Sequence, residues 1–169
     1  MITPAYVRTL AAYNAEMNRR LYEAATRIGE AERRRDRGAF WHSIHGTLNH
    51  LLYGDRSWMS RFAGWERPPK TLKQSDTLID DFAALSAARI EADAGIIAWA
   101  GGVTDSWLGE TLHWHSMASN RDLAMPRSLL VTHLFNHQTH HRGQAHALIT
   151  AAGDDSGDTD LFILVPEIL

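Results

Sequence analysis

The segment "HLFNHQTHHRGQAH", residues 133–146, puts five of the chain's ten histidines into fourteen positions. At about 100° per residue, Leu130, Leu134, His137, His141 and Leu148 fall within roughly 60° of one another on a helical wheel. The segment is therefore read as part of a helix from Ser128 to about Ala151, entered after Pro126 and left at Gly153. His137 and His141 stand in the middle of its apolar stripe and point into a core. A metal site, a proton-handling site and a polar helix face that happens to use histidine are all open at this point.

Working outward, three more helices share that period. Thr3-Pro4 is a cap with proline in the first turn, and Tyr6, Leu10, Tyr13, Met17, Leu21, Ala24 and Ile28 follow at spacings of three and four, ending near Gly29. A second helix runs from about Phe40 through Ile44, Leu48, Leu51, Trp58 and Phe62 to Gly64 and Pro68-Pro69. The capping box Thr77-x-x-Asp80 opens a third, with Leu78, Phe82, Leu85, Ile96 and Trp99 on one stripe and Gly101-Gly102 at its close. Residues 103–127 show weak alternation from Thr111 to Met117 and a turn at Ser119-Asn120-Arg121-Asp122, which suits a small hairpin or an irregular crossover. The tail "DDSGDTD" is a loop, and Leu161 to Leu169 is apolar enough to pack back as an extended or short helical end. The expected fold is all-α, a four-helix bundle with a long crossover between helices three and four, as a single domain over residues 1–169.

A chain of 169 residues with a formal charge of -3 has the size of one domain and no broad basic field, so nucleic acid is not an expected partner. The one basic cluster, Glu32-Arg33-Arg34-Arg35-Asp36-Arg37, reads as a solvated helix end or loop. Charged residues interrupt the N-terminal stretch, and no apolar run approaches the roughly 18 to 20 residues of a membrane span. A cytoplasmic location without membrane contact is expected. The absence of cysteine excludes disulfides, zinc-thiolate sites and an internal nucleophilic thiol. Any metal must be held by histidine and oxygen, and any thiol must come from outside.

His137 and His141 have the i, i+4 separation that lets one helix turn present two imidazoles to one metal, but His133 and His137 form an identical pair. His50, on helix two, has Gly46, Thr47, Gly54 and Ser57 on its side of the wheel. Because glycine inside a helix costs about 1 kcal/mol relative to alanine, these positions signal an occupant near the ring or the close approach of another helix. Spacing alone leaves a three-histidine metal site and satisfied core histidines both standing. His42 and His45 are placed near the start of helix two, facing solvent or a neighbouring subunit, and His140 and His146 fall off the apolar stripe. His113 and His115 share one face of a strand. Glu110-x-x-His113 has the spacing of a di-iron motif, but no second copy exists, so a mononuclear site is favoured. Trp41, Trp58, Trp99, Trp107 and Trp114 are read as core packing, and Trp65 as a residue of a pocket mouth or a dimer contact.

Together, "YNAEMNRRLY" (13–22), "SIHGTLNHLLYGDRSWMSRF" (43–62), "HLFNHQTHHRGQAHALITAAG" (133–153) and "DTDL" (158–161) resemble the DinB family of damage-inducible bacterial proteins, in order and over nearly the whole chain. That resemblance implies a four-helix bundle with a long crossover, commonly a homodimer, holding one divalent metal on three histidines. By position in the family motifs these are His50, His137 and His141, with His133 a neighbour. Better-characterised proteins with this bundle look like transferases or isomerases that use low-molecular-weight thiols.

Three neutral imidazoles leave coordination positions open, as catalytic zinc sites do, and imidazole suits zinc and nickel alike. The expected activity is that of a metal-dependent enzyme, a thiol-dependent transferase or a hydrolase, activating a thiol or water on one divalent transition metal and acting on a small-molecule substrate. Asp55, Asn136 and Gln144 are candidates for orienting ligands or substrate. Arg142, about 140° from His137 on the wheel, is expected to point away from the metal toward a carboxylate or a partner subunit. The alternatives are a metal- or small-ligand-binding stress-response protein without turnover, and an inert scaffold whose histidines are core residues.

Overall fold

The computed structural model describes the backbone of residues 1–116 and 119–168 and the side chains of 1–116 and 119–164. Met117 and Leu169, which the sequence reading included in the crossover alternation and the C-terminal segment, lie outside the described residues. The chain is predominantly helical with one small two-stranded sheet. No helix among the described residues is long and apolar enough to cross a membrane.

Helix α1 (Pro4–Arg27) begins as expected: the Thr3 hydroxyl accepts the Tyr6 N–H at 3.2 Å, with Pro4 in the first turn. A short α2 (Glu30–Arg34) absorbs part of the basic cluster. The next long helix, α3 (Ile44–Phe62), starts later than the expected Phe40. Its cap is Ser43, whose hydroxyl accepts the Gly46 N–H at 3.0 Å. Residues before it make a tight turn closed by a bridge between Ala39 and His42, with His42 at φ 63°. Left-handed backbone cannot continue a right-handed helix, so Phe40 is left 72% exposed instead of joining the core stripe.

The third long helix, α4 (Phe82–Gly101), also starts later than its sequence signal suggests. Thr77 does not cap it, because its hydroxyl donates to the Gln74 carbonyl at 3.0 Å. The capping box is Thr71 with Gln74 and opens a 3-10 turn, Leu72–Thr77, while Asp81 caps α4 at the Ala84 N–H, 2.7 Å away. Leu78 is buried as its pattern promised, but from the connecting segment. Beyond Gly102 come α5 (Asp105–Gly109) and the hairpin β1 (Thr111–Ser116) with β2 (Arg121–Pro126), paired antiparallel from Thr111 opposite Pro126 to Ser116 opposite Arg121.

The histidine-rich helix is α6 (Arg127–Ala151). It stops where Gly153 turns to φ 89° and lets the Asp154 N–H reach back to the Ile149 carbonyl at 3.2 Å. A final α7 (Leu161–Ile168) packs back against α1. Helix α1 lies against α4 and α6, and α3 lies against α6 and α4.

The buried apolar residues form two clusters. One half gathers Leu21, Tyr22, Ile44, Leu48, Leu52, Leu85, Leu148 and Ile149; the other gathers Val7, Met59, Ile96, Leu130, Leu134 and Phe135. On every helix the residues between the two halves are buried and polar: Asn14 and Asn18, Asp55, Arg89 and Asp93, then Gln138 and Arg142. Arg89 bridges Asp55 at 2.6 Å and Asp93 at 2.8 Å. Burial lifts both carboxylates above their usual range, Asp93 to about 6, against the pull of that guanidinium. A buried guanidinium paired with two carboxylates cannot be moved without stranding a charge.

Four of the five tryptophans read as core packing gather near Phe62, around which Trp99 stacks at 5.6 Å and Trp107 sits edge-on at 5.7 Å. Trp58 stacks on the other side and meets Trp114 edge-on at 6.2 Å. Trp65, read as a pocket mouth or a dimer contact, packs against α4. Its ring fills a notch at Gly95, where a Cβ would stand 2.6 Å from the ring carbon Cζ2.

Candidate metal centre

Helix α3 carries His50, and α6 carries His137 and His141 one turn apart. The two helices pack together, and Gly54 sets how closely the rings can approach: a Cβ there would lie 3.0 Å from His137 Cε1. Gly46 does a parallel job, since its Cβ would strike the Trp41 carbonyl. That close passage brings the Trp41 ring onto His50, stacked at 4.1 Å. Of the two meanings the glycines allowed, Gly54 therefore admits a histidine from the facing helix, and Gly46 admits backbone. Trp41 serves the histidine cluster and not the interior of the core.

The Nε2 atoms of His50 and His137 are 3.2 Å apart, and His50, His137 and His141 each offer a nitrogen within 4.8 Å of the others. Two rings are held by their outer nitrogens. His50 Nδ1 is hydrogen-bonded to Ser75 Oγ at 2.8 Å, and His141 Nδ1 to Gln144 Oε1 at 2.8 Å. An amide oxygen only accepts, so His141 carries its proton on Nδ1 and presents Nε2 as a bare lone pair. His137 Nδ1 is buried without a hydrogen-bond partner among the described residues.

Burial, reinforced by the mutual repulsion of the protonated forms, holds His50 down at about 3 and His137 at about 4. Burial also lowers His141. All three are neutral at pH 7, the state a metal requires of imidazole. Three converging neutral nitrogens, two of them oriented from behind, fit a divalent transition metal, and among the described residues no carboxylate belongs to the cluster.

The structure sorts the remaining candidates. His133 is exposed, with its ring 5.8 Å from that of His137 and edge-on to Trp58 at 5.3 Å, beside the cluster. His45 does not face solvent: it is 5% exposed, and its Nε2 contacts the Ile79 carbonyl at 3.2 Å. Asn49 Oδ1 accepts the Ile79 N–H at 2.7 Å. These two residues pin the segment after the 3-10 turn and so seat Ser75 behind His50. His42 and His140 are exposed, His140 beside the Gln144 amide nitrogen at 3.3 Å, and His146 is bonded to Ser156 at 2.7 Å. His113 and His115 share the exposed face of β1, where His115 meets Asp122 at 2.9 Å. Glu110 is spent on Arg127 at 2.6 Å, so no carboxylate-histidine motif forms.

Of the three expected orienting residues only Gln144 reaches a ring. Asp55 faces the buried belt, bonded to Arg89 and Gln138, because the position five residues after His50 falls on the opposite side of α3. Asn136 is exposed. Arg142 does turn from the histidines, as its wheel angle requires, but inward to Asn14 and to Thr139 Oγ1 at 3.2 Å, and among the described residues not to a carboxylate. Ser75 escaped the sequence reading and Trp41 was read only as core packing: Ser75 sits in the 3-10 turn and Trp41 in the tight turn before α3, where no helix period marks a contact with His50.

A model of the DinB family matches residues 1–165. No curated protein and no solved structure matches the chain.

Proposed function

The chain belongs to the DinB family, and on that footing we propose that it is a metal-dependent enzyme holding one zinc or nickel ion on the Nε2 atoms of His50, His137 and His141. The observation that carries this reading is the convergence of three neutral imidazoles with Ser75 and Gln144 anchoring two of them. When bound, such a metal supplies Lewis acidity to a water or a thiol at its open positions. The chain's own residues do the rest. Ser75 and Gln144 set ring orientation, Gly54 sets the approach of α6, and Trp41 shields one side of His50. With no cysteine of its own, the protein takes any thiol nucleophile from a co-substrate, which agrees with a thiol-dependent transferase or a hydrolase.

The proposal extends to the architecture. We read α1, α3, α4 and α6 as a four-helix bundle within one domain, with α5 and the hairpin as the long crossover. A homodimer is the assembly the family resemblance implies. A second reading, a stress-response protein that binds metal without turnover, is favoured by the Trp41 ring lying directly on His50, which narrows the space beside the metal.

The test is metal content by plasma mass spectrometry on tag-free protein, beside His50→Ala, His137→Ala and His141→Ala. About one zinc or nickel per chain, lost in each variant, supports the site; no metal after reconstitution overturns it. Turnover of an electrophile with a panel of thiols by the metal-loaded parent, absent in His137→Ala, then separates the enzyme from the binding protein.

A further inference from the structure

Two guanidinium groups are buried in this protein, and they are treated differently. Arg89 is met by two carboxylates. Arg142, 6% exposed, has no carboxylate within ion-pair distance among the described residues. Its partners are neutral: Asn14 Oδ1, Thr139 Oγ1 at 3.2 Å, and the Tyr13 ring with its centroid 5.6 Å away. Two of its five N–H donors are thereby used. A buried cation without an anion is costly, and such groups are kept where an anion is supplied from elsewhere.

Arg142 also borders a cavity of about 210 Å³ between α1, α6 and the loop of residues 154–160. Hydroxyl groups line it from Thr139, Ser156 and Thr159, with Arg20 and His146 at the wall. Gly143, in the middle of α6, lines it too, and a Cβ there would meet nothing within 4 Å. Close helix packing therefore does not require this glycine, which costs about 1 kcal/mol in a helix interior. Its effect is to leave the cavity floor open. The two carboxylates whose charge reaches Arg142, Asp55 and Asp93, are already committed to Arg89.

We propose that this cavity is a second ligand site, separate from the histidine cluster, that binds a small oxyanion through the guanidinium of Arg142 and the hydroxyls of Thr139 and Ser156. Its volume lies below the roughly 300–1,000 Å³ of drug-sized pockets. The fitting ligands are a short carboxylate or a phosphate group, and guanidinium geometry accepts both.

The test is calorimetric titration of metal-loaded, tag-free protein with inorganic phosphate and, separately, with acetate and pyruvate. Saturable binding of phosphate alone assigns a phosphate site, and of the carboxylates alone a carboxylate site. Binding persists in His50→Ala, because the metal cluster is not involved. It weakens at least about tenfold in Arg142→Gln and in Gly143→Leu, whose side chain fills the cavity. Gly143→Leu keeps the test decisive should Arg142→Gln fail to fold. The proposal is overturned if no anion binds saturably, if binding vanishes in His50→Ala, or if Gly143→Leu binds as tightly as the parent.

Discussion

Replacing Gly54 by alanine separates the metal site from the stability of the fold. Alanine is the better helix former by about 1 kcal/mol, so at an ordinary position in α3 the change would stabilise. Here the added Cβ stands 3.0 Å from His137 Cε1 and 3.4 Å from Nδ1, while ordinary contact begins at 3.4 Å, so the ring must retreat by about 0.4 Å. Metal–nitrogen distances hold to within about 0.2 Å, and disturbing the placement of a ligand ring costs about 10–100-fold in metal affinity. Gly54→Ala is therefore expected to bind zinc about 10–100-fold more weakly, while its metal-free unfolding free energy stays equal to the parent's or rises by up to about 1 kcal/mol. Competition against a chromophoric chelator reads the first quantity and urea unfolding of the apoprotein the second. Zinc affinity within about twofold of the parent would refute the argument that Gly54 is kept for the His137 ring. A large loss of apoprotein stability would show that Gly54 serves helix packing in general.

Gln144→Leu and Ser75→Ala each remove the group behind one imidazole, and the same chelator competition is expected to show a loss of about 10–100-fold, with little change in the apoprotein melt. Metal-free stability should fall with acid. His50 and His137 titrate near 3 and 4 when folded, against about 6.5 unfolded, so the unfolded chain takes up protons first and stability drops as pH falls below about 6.5. At pH 5 each ring costs up to about 2 kcal/mol, and urea melts of the apoprotein at pH 7.5 and pH 5 should show a smaller difference in His50→Ala than in the parent. Arg89→Met leaves Asp55 buried without its cation, and chemical denaturation should register a loss of about 3–5 kcal/mol, whether or not metal is bound.

How much of this was legible in the chain follows from how far each signal reaches. The apolar period of 133–146 located α6 to within a residue at its start and put His137 and His141 inside, because a helix stripe is a local property of consecutive residues. The family motifs singled out His50 as the third member, and the fold brings it to the other two. Helix starts were less secure. Ser43 and Asp81 prevailed over Phe40 and Thr77 because the tight turn at His42 and the bond from Thr77 to the Gln74 carbonyl compete with capping, and neither competition leaves a periodic trace.

The sequence by itself determined a helical, cysteine-free chain whose metal chemistry, if any, must rest on imidazole, since those conclusions need only composition and the spacing of residues within one helix. Tertiary structure decided everything that depends on two segments meeting. Ser75 stands behind His50, Gly54 yields to His137, Asp55 turns away to Arg89, and Arg142 reaches Asn14 on α1. Each of these contacts joins residues remote along the chain, and their geometry is set by how the helices pack and not by any pattern within one of them.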